Sequence, residues 1–422
     1  MQDLDNATIA DFNPRELLTE MQGNLEGISQ FWRERGIDSD GGYHTNFSPS
    51  GDTIPQNRKT LIAQTRILWT YSALSQALSD KTFLPLAKHG FDFLVNKFYD
   101  KQYKGWYWVI GDERDDPAKL MYGQSFALYS LCAYASASKD QRALELAVET
   151  FDAMHKAADL TYGGFWENID RTWAPEDTDS GRRKSLDIHM HLLESFTALA
   201  ELTDDVTHRR RLSEIRRLLF KTMIDPTWCI GGNQYDATWT PLEPIVISRT
   251  WIAERIGDQA LPPGQITTSY GHNLEFGWLL GWADEVLNGD HRLHTWVVDR
   301  LADHALRYGF DHEYGGIYRE GPPLGPATDQ DKEFWQNAEG LIGFLHAYEL
   351  TSKPQYASAY SQTWRFVKEH MIHPDLHEWC IRTTRTGEPV DSSLGNEWTG
   401  GYHTVRAAIE CTQRLKNLIG SS

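Results

Sequence analysis

The sequence of 422 residues contains only four cysteines and no apolar stretch long enough to span a bilayer. The cysteines are scattered without a CxxC pair, which excludes a disulfide scaffold and a zinc site of that pattern. There is no GxxxxGK phosphate loop, and the first residues show neither the basic nor the apolar region of a secretion signal. These absences predict a soluble, cytoplasmic protein with no membrane partner.

Basic residues are outnumbered, since 41 Lys and Arg face 59 Asp and Glu and leave a formal net charge of -18. Such a chain repels phosphate backbones and anionic lipid surfaces, so we expect no nucleic-acid partner and a neutral substrate. Aromatic residues are abundant, with 16 Trp, 18 Tyr and 17 Phe. Flat rings cover the apolar faces of sugars, although core packing accounts for most of them.

A cluster of glycine and aromatic residues recurs along the chain, as in the DLTYGGFWENI of residues 159–169. Paired glycines supply positive φ angles, so each cluster predicts a tight turn or hairpin. The spacing gives a repeat of about 70 residues. The clusters occupy residues 39–47, 99–110, 159–169, 225–236, 311–321 and, in degraded form, 373–384.

Two helical patterns lie between successive clusters. One is apolar on several faces and predicts an inner helix, whereas its partner has one charged face and predicts an outer helix, as in 208–223 and 291–306. Six such pairs predict an all-α (α/α)6 barrel with short β-hairpins at one end, formed as a single domain by residues 1–422. The inner patterns are 61–78, 120–137, 186–203, 270–287, 334–351 and 398–415.

Polar residues inside the apolar helices are the candidates for function. Asp187, His191 and Glu194 share one helical face, from which His189 points away. A single buried histidine is more often a hydrogen-bonded core residue, and the H-x-x-E of 272–275 is weak evidence for half a metal site. Several such groups from distant repeats predict one polar cavity, because each buried polar group needs a partner. The others are Arg66, His272, Glu275, Trp335, Glu339, Trp398 and His403.

A set of buried imidazoles suits proton transfer at a carbon next to a carbonyl, because histidine titrates near neutral pH. Inverting a stereocentre through a planar enediolate needs two such groups, one on each face. A guanidinium or a further imidazole stabilises the oxyanion that develops. The set therefore predicts an acid–base enzyme that requires no cofactor and no metal.

Five motifs resemble those of the N-acylglucosamine 2-epimerase superfamily, and within it the cellobiose 2-epimerase branch. They fall in order and cover nearly the whole chain. The motifs are QTRILW around Arg66, DIHMHLLE at 187–194, SYGHNLE at 269–275, FWQNAE at 334–339 and WTGGYH at 398–403.

The resemblance implies a role for each motif residue. His272 and His403 would be the acid–base pair at C2 of a sugar, and His191 would assist opening and closing of the pyranose ring. Arg66 would hold the carbonyl-side oxygens, and Glu275 would orient or polarise a catalytic histidine. The remaining substrate-binding positions would be Tyr122, Phe126, Asp187, Trp335, Glu339 and Trp398.

Two departures bear on the substrate. The cellobiose branch has Asn where this chain has Asp187, and the segment 243–268 is longer than expected. An ordered flap of that length would cover the space of a second sugar ring, which favours a monosaccharide and a closer match to the bacterial D-mannose 2-epimerases. The expected reaction is reversible 2-epimerisation of D-mannose and D-glucose by a monomer or homodimer.

Other readings stay open at this point. The same chemistry on cellobiose or other β-linked disaccharides is the nearest, followed by aldose–ketose isomerisation through the same enediolate. A glycoside hydrolase would need two carboxylates, for which Glu275 and Glu339 are candidates, but would leave the histidines without a role. A non-catalytic sugar-binding module would leave them equally unexplained.

Overall fold

The computed structural model describes residues 12–111, 115–224, 230–243, 267–289 and 291–420. Within these ranges twelve α-helices alternate between an outer and an inner position. The outer helices are α1 (Pro14–Arg35), α3 (Phe83–Phe93), α5 (Gln141–Met154), α7 (Val206–Leu218), α9 (His291–His304) and α11 (Pro354–His370). The inner helices are α2 (Leu61–Ala77), α4 (Met121–Ser138), α6 (Leu186–Thr203), α8 (Tyr270–Leu287), α10 (Phe334–Thr351) and α12 (Tyr402–Gly420).

The inner helices form a closed ring, in which each packs against the next and α12 returns to α2. The outer helices cover the ring from outside, with α3 against α2, α5 against α4, and so on to α1 against α12. Helices that are apolar on every face must be surrounded by protein, whereas the charged faces of the outer helices meet water. The predicted (α/α)6 barrel is confirmed, with one boundary corrected: α12 begins at Tyr402, four residues after Trp398.

Short strands and hairpins crowd the end of the barrel at which the inner helices begin. The predicted turn clusters form antiparallel bridges, for example between Ala158 and Phe165. Gly163 and Gly164 have φ of 79° and 76°, the conformation for which glycine was expected. The strands are β1 (Lys59–Thr60), β2 (Val109–Ile110), β3 (Lys184–Ser185), β4 (Gln234–Tyr235), β5 (Pro241–Leu242), β6 (Thr268–Ser269), β7 (Glu320–Gly321), β8 (Lys332–Glu333), β9 (Arg382–Thr383) and β10 (Pro389–Asp391). They pair as β1–β2, β3–β4–β5, β6–β7 and β8–β9–β10.

A polar side chain near the start of each of five inner helices anchors the hairpin beside it. Gln64 Oε1, for instance, accepts the backbone N–H of Tyr43 at 2.8 Å, and His189 Nε2 accepts that of Phe165 at 3.0 Å. A buried amide needs such an acceptor, so the repeat places one at the same depth each time. These residues, which we call the anchor layer, are Gln64, Gln124, His189, Asn273 and Asn337.

A buried lysine five residues before the anchor position ties the same hairpin in four of the repeats. Lys184 Nζ lies 2.6 Å from Asp159 Oδ2, and neither side chain is more than 4% exposed. A buried ion pair of this kind is costly to break, since either partner alone would be an uncompensated charge. The other pairs are Lys59–Asp38, Lys119–Asp100 and Lys332–Asp311.

Two residues beyond the anchor residue, five inner helices turn one side chain toward the centre of the ring, and α12, which has no anchor residue of this kind among those described, contributes Arg406. We call these six residues the centre layer. Because 3.6 residues make one turn, a step of two moves the side chain to a different face of the helix. The centre layer consists of Arg66, Phe126, His191, Glu275, Glu339 and Arg406.

Some sequence predictions lie outside the described part of the chain. Residues 244–266 make up nearly all of the predicted flap at 243–268, so that prediction lies outside the described residues. The formation of one domain by residues 1–422 also stays a prediction. Three cysteines, Cys132, Cys380 and Cys411, are buried and free. Among the described helices, none is both long and apolar enough to cross a membrane.

Candidate active site

A cavity of about 480 Å³ opens at the end of the barrel where the inner helices begin. The structure brings eight of the predicted site residues to its wall: Arg66, Tyr122, His191, His272, Glu275, Trp335, Trp398 and His403. The other three stand directly behind that wall, where Phe126 and Asp187 contact His191 and Glu339 contacts His403.

His403 lies in the first turn of α12 and is held by a carboxylate. Its Nδ1 lies 2.8 Å from Glu339 Oε1. Because a carboxylate only accepts, Nδ1 carries the proton and Nε2 keeps its lone pair. Burial lowers the pKa of His403 well below its ordinary value, and the guanidinium groups of Arg406 and Arg66 lower it further. His403 is therefore a neutral imidazole, suited to accept a proton.

His272 lies in the first turn of α8, which is capped by Ser269. Its Nε2 is 3.5 Å from Asp187 Oδ1, and its side chain is 16% exposed. Burial lowers the pKa of His272, while the charge of Asp187 opposes that shift. The ring centroid of Trp335 lies 4.6 Å from that of His272 and 5.7 Å from that of His403. One indole thus contacts both histidines.

His191 has a carboxylate at each nitrogen and differs from the other two in charge. Nδ1 lies 2.9 Å from Glu194 Oε2, and Nε2 lies 3.3 Å from Asp187 Oδ1. Burial by itself lowers the pKa of His191, but the hydrogen bonds to Asp187 and Glu194 outweigh it and raise the pKa to about 9. The pKa of Asp187 is lowered to about 2 by His272 and His191, against the effect of burial. His191 is thus an imidazolium at neutral pH.

Arg66 crosses the floor of the cavity from α2. It donates to the hydroxyl of Tyr122 at 3.0 Å and to the backbone oxygen of Trp398. The centre of its guanidinium stands 4.4 Å from the ring of Phe126. A guanidinium held by neutral partners keeps its charge available to an oxyanion.

The two central glutamates share one cation. Arg406 donates to Glu339 Oε1 at 2.7 Å and to Glu275 Oε1. Burial and the nearby Glu339 raise the pKa of Glu275, although Arg406 opposes the shift. The sequence resemblance gave Glu275 the part of orienting a catalytic histidine. In the structure the carboxylate that holds His403 is Glu339, and the carboxylate beside His272 is Asp187.

The same glutamates and His403 are the one group among the described residues with spacing suited to a metal ion. One oxygen of Glu275, one of Glu339 and a nitrogen of His403 all lie within 4.8 Å of one another. Carboxylate and imidazole ligands would suit a divalent cation. The guanidinium of Arg406 already pairs with both carboxylates, so the positive charge is supplied by the chain and the residues do not fit a metal.

Sequence reasoning missed Arg406, which lies between three carboxylates, and gave no role to Glu194, which holds His191. A signal for Arg406 was present, because it is a charged residue one turn after His403 on a helix predicted to be inner. The hairpin residues at the mouth of the cavity were also missed. They are Asn46, Glu333, Arg382, Asp391, Asn396 and Glu397.

Known proteins share this fold and cover nearly all of the chain. A sequence profile of the family described as N-acylglucosamine 2-epimerase (GlcNAc 2-epimerase) matches residues 41–407. The cellobiose 2-epimerase of Dictyoglomus turgidum is 27% identical over 401 residues, which span 92% of this chain and 96% of that protein. The D-mannose isomerase of Marinomonas mediterranea is 22% identical over 414 residues, spanning 94% of this chain and 97% of that protein.

A solved structure gives the same architecture. The cellobiose 2-epimerase of Bacillus thermoamylovorans superposes with a TM-score of 0.84 at 24% identity, and the match covers 95% of this chain and 100% of that chain. That likeness shows the fold, and the profile match over residues 41–407 shows the family. This chain belongs to the N-acylglucosamine 2-epimerase family and is an enzyme that acts on carbohydrates.

Proposed function

We propose that this enzyme catalyses the reversible 2-epimerisation of D-mannose and D-glucose by moving a proton on and off C2, without a metal or nucleotide. One observation carries the proposal: two histidines with lowered pKa values, His272 and His403, line one cavity and contact the same indole. Epimerisation requires a proton acceptor and a proton donor at one carbon, and this pair supplies both.

The reaction begins from the open-chain aldose. One of the two histidines takes the C2 proton on a ring nitrogen, which is Nε2 in His403, and the electron pair moves toward C1 to form an enediolate. The other histidine, as an imidazolium, returns a proton to the opposite face of C2. In the reverse direction the two exchange roles. Arg66 and the cationic His191 both line the cavity, where they stabilise the negative charge on the enediolate oxygens.

His191 assists the opening and closing of the pyranose ring in this scheme. It is protonated at neutral pH, and its Nε2 faces the cavity side where Asp187 stands 3.3 Å away. Donating that proton to the ring oxygen breaks the C1–O5 bond while one of the neutral imidazoles of the cavity, His272 or His403, accepts the proton of the anomeric hydroxyl and becomes the imidazolium that the later step requires. Asp187 stabilises the imidazolium before donation and orients the ring during it.

The choice of a monosaccharide rests on the sequence departures at Asp187 and at residues 243–268, the latter mostly outside the described residues. A second candidate is 2-epimerisation of cellobiose, which is favoured by the higher identity to a cellobiose 2-epimerase, 27%, than to a D-mannose isomerase, 22%. Both substrates would use the same histidines. Return of the proton to C1 instead of C2 would give the ketose.

A glycosidase reading fits the geometry poorly. Two carboxylates must flank a scissile bond, with room for the sugar between them. Glu275 and Glu339 instead converge on one nitrogen of Arg406, so a guanidinium occupies the space between them. The histidines would also have no task.

The test is incubation of the purified protein in D2O with mannose, glucose and cellobiose separately, followed by NMR of the recovered sugars. We expect deuterium at C2 of both mannose and glucose and interconversion of the two. Exchange with cellobiose alone would replace the substrate but keep the chemistry. Absence of exchange with every aldose would overturn the proposal.

A further inference from the structure

Arg406 lies at the centre of the barrel, one turn after His403 on α12, and is buried. Its single guanidinium contacts carboxylates from three inner helices. It donates to Glu194 Oε1 of α6 at 2.5 Å, to Glu275 Oε1 of α8, and to Glu339 Oε1 of α10 at 2.7 Å. Without this cation, three buried carboxyl groups would lack their common partner, at a large cost in free energy.

Two of those carboxylates each hold a histidine of the cavity. Glu194 Oε2 is 2.9 Å from Nδ1 of His191, and Glu339 Oε1 is 2.8 Å from Nδ1 of His403. Arg406 is therefore connected to His191 through Glu194 and to His403 through Glu339, and its Nη2 also lies 3.4 Å from Nδ1 of His403. No other described cation contacts both carboxylates.

We propose that Arg406 is a positioning residue that sets which histidine of the site is charged. Its cation repels a proton from the neighbouring His403 and offsets the pull of Glu339, so His403 stays neutral. The same cation keeps Glu194 ionised, so His191 stays an imidazolium. One guanidinium thus prepares a base and an acid at two positions of the same cavity. The inference rests on the proposed function only for its kinetic readout.

Other charged groups also face His403 and affect its pKa. Arg66 of α2 and His191 of α6 are further cations that lower its pKa, whereas Glu194 raises it. None of these lies on α12, and only Arg406 is also bonded to the carboxylate that holds His403. The groups that face His403 are Arg66, His191, Glu194, His272, Glu275, Glu339, Tyr402 and Arg406.

A purely structural role is the competing explanation. The guanidinium centre lies 4.1 Å from the ring of Tyr402 and 5.0 Å from that of Trp278, so Arg406 also fills the core. Loss of packing would lower stability and rate but would leave the pH dependence of the reaction where it was. A shift of the acid limb, the low-pH side of the pH–rate profile, is thus specific to the charge-setting role.

The experiment measures kcat and kcat/KM for C2 deuterium incorporation as a function of pH in the wild-type enzyme and three variants. In Arg406→Met we expect the acid limb to move to higher pH by about one unit or more, because His403 loses a repelling cation and gains an uncompensated carboxylate. Arg406→Lys keeps the charge but loses the planar guanidinium that reaches three carboxylates. Its rate should therefore fall, with a smaller shift of the acid limb than in Arg406→Met.

Arg414→Met is the matched control. Arg414 lies on the same helix and pairs with Glu349 at 2.6 Å, away from the cavity wall. We expect its acid limb to coincide with that of the wild type. An unmoved limb in Arg406→Met, or a limb in Arg406→Lys that moves as far as in Arg406→Met, would overturn the inference. If Arg406→Met does not fold, Arg406→Gln, which is polar but uncharged, takes its place with the same expected shift.

A second readout separates this inference from the proposed function. The 15N shifts of the His403 imidazole, followed against pH without substrate, report its protonation and tautomer. We expect the Nδ1–H tautomer in the wild type down to lower pH than in either Arg406 variant. If the wild type exchanges the C2 proton of no aldose, the proposed function fails. The 15N shifts of His403 would still show whether Arg406 controls its protonation. Identical titrations in all the proteins would refute its role.

Discussion

Two buried histidines lie two residues apart on α6 and belong to different layers of the barrel. His189 is in the anchor layer, where its Nε2 accepts the N–H of Phe165 at 3.0 Å, and its Nδ1 lies 3.0 Å from the carbonyl oxygen of Ser185 and 3.2 Å from Glu167 Oε1. His191 is in the centre layer, where both nitrogens face carboxylates. A ring nitrogen that accepts from an amide keeps its lone pair, whereas carboxylates at both nitrogens of His191 raise its pKa to about 9.

The comparison shows that burial alone does not give a histidine a chemical role. An amide N–H and a carbonyl oxygen require one acceptor and one donor, which the side-chain amides of Gln64 and Asn337 supply at the same position of other repeats. Carboxylate partners at both nitrogens require a group that can be charged, and only histidine gives that charge near neutral pH. The anchor layer therefore builds the fold, and the centre layer builds the cavity floor.

Removing a histidine at the cavity wall should have the largest effect on activity. In His403→Asn or His272→Asn we expect epimerisation to fall by about 10²–10⁴-fold, because a positioned acid–base group is lost. Each variant should still exchange the C2 proton of one epimer, the one whose proton faces the remaining histidine. NMR in D2O measures both quantities. Near wild-type epimerisation in either variant would contradict the assignment.

Breaking a lysine pair beneath the hairpins should have the largest effect on stability. We expect Lys184→Met to lower the free energy of unfolding by about 3–5 kcal/mol, because Asp159 is left buried without its cation. Urea denaturation followed by circular dichroism measures the change. The exposed Lys81→Met is the control, with an expected change within about 0.5 kcal/mol. Equal values for the two variants would show that the pair does not secure the fold.

His189 should be replaceable by the residue that other repeats use. We expect His189→Gln to keep both stability and activity, because Gln64 and Gln124 accept the corresponding hairpin amide in their own repeats. His189→Ala should lower the free energy of unfolding by about 1–3 kcal/mol, since the amide of Phe165 loses its acceptor. Denaturation and an exchange assay on both variants check this. A large loss of activity in a stable His189→Gln enzyme would place His189 in the site instead.

The charge of His191 should set the alkaline limit of activity. Its folded-state pKa is raised to about 9, so the stabilisation from its ion pairs is complete below the ordinary value near 6.5 and is lost as pH rises through 9. We expect about half of the neutral-pH rate to remain at pH 9 and a steady decline above it. Rate–pH profiles of the wild type and of Asp187→Asn test this, since the variant should lose rate at lower pH. An alkaline limit that does not respond to Asp187 would exclude His191 as its source.

The fold was predictable from particular residues, and the site only in part. Paired glycines such as Gly163 and Gly164 specify hairpins locally, and helices apolar on all faces specify an inner ring. Arg406 lies one turn after His403, but its role depends on carboxylates from three other helices, which the motif around His403 does not contain. The start of α12 was placed too early because Gly400 and Gly401, with φ of 64° and 70°, turn the chain before the helix begins. Whether a hairpin residue such as Arg382 lines the cavity depends on how hairpins from distant parts of the chain pack together, and no local sequence pattern predicts that packing.

The order of side chains around the centre layer has an electrical consequence. Following the ring from α2, it runs Arg66, Phe126, His191, then Glu275 and Glu339, and closes with Arg406. Positive groups thus occupy the arc that includes α2, and the two carboxyl groups face them from α8 and α10, with the quadrupole of Phe126 between Arg66 and His191. His191 is paired with Asp187 and Glu194, and Arg406 with Glu275 and Glu339, whereas Arg66 contacts the neutral Tyr122 hydroxyl and Trp398 carbonyl. In the proposed reaction the oxyanion would therefore be stabilised on the α2 side of the cavity floor.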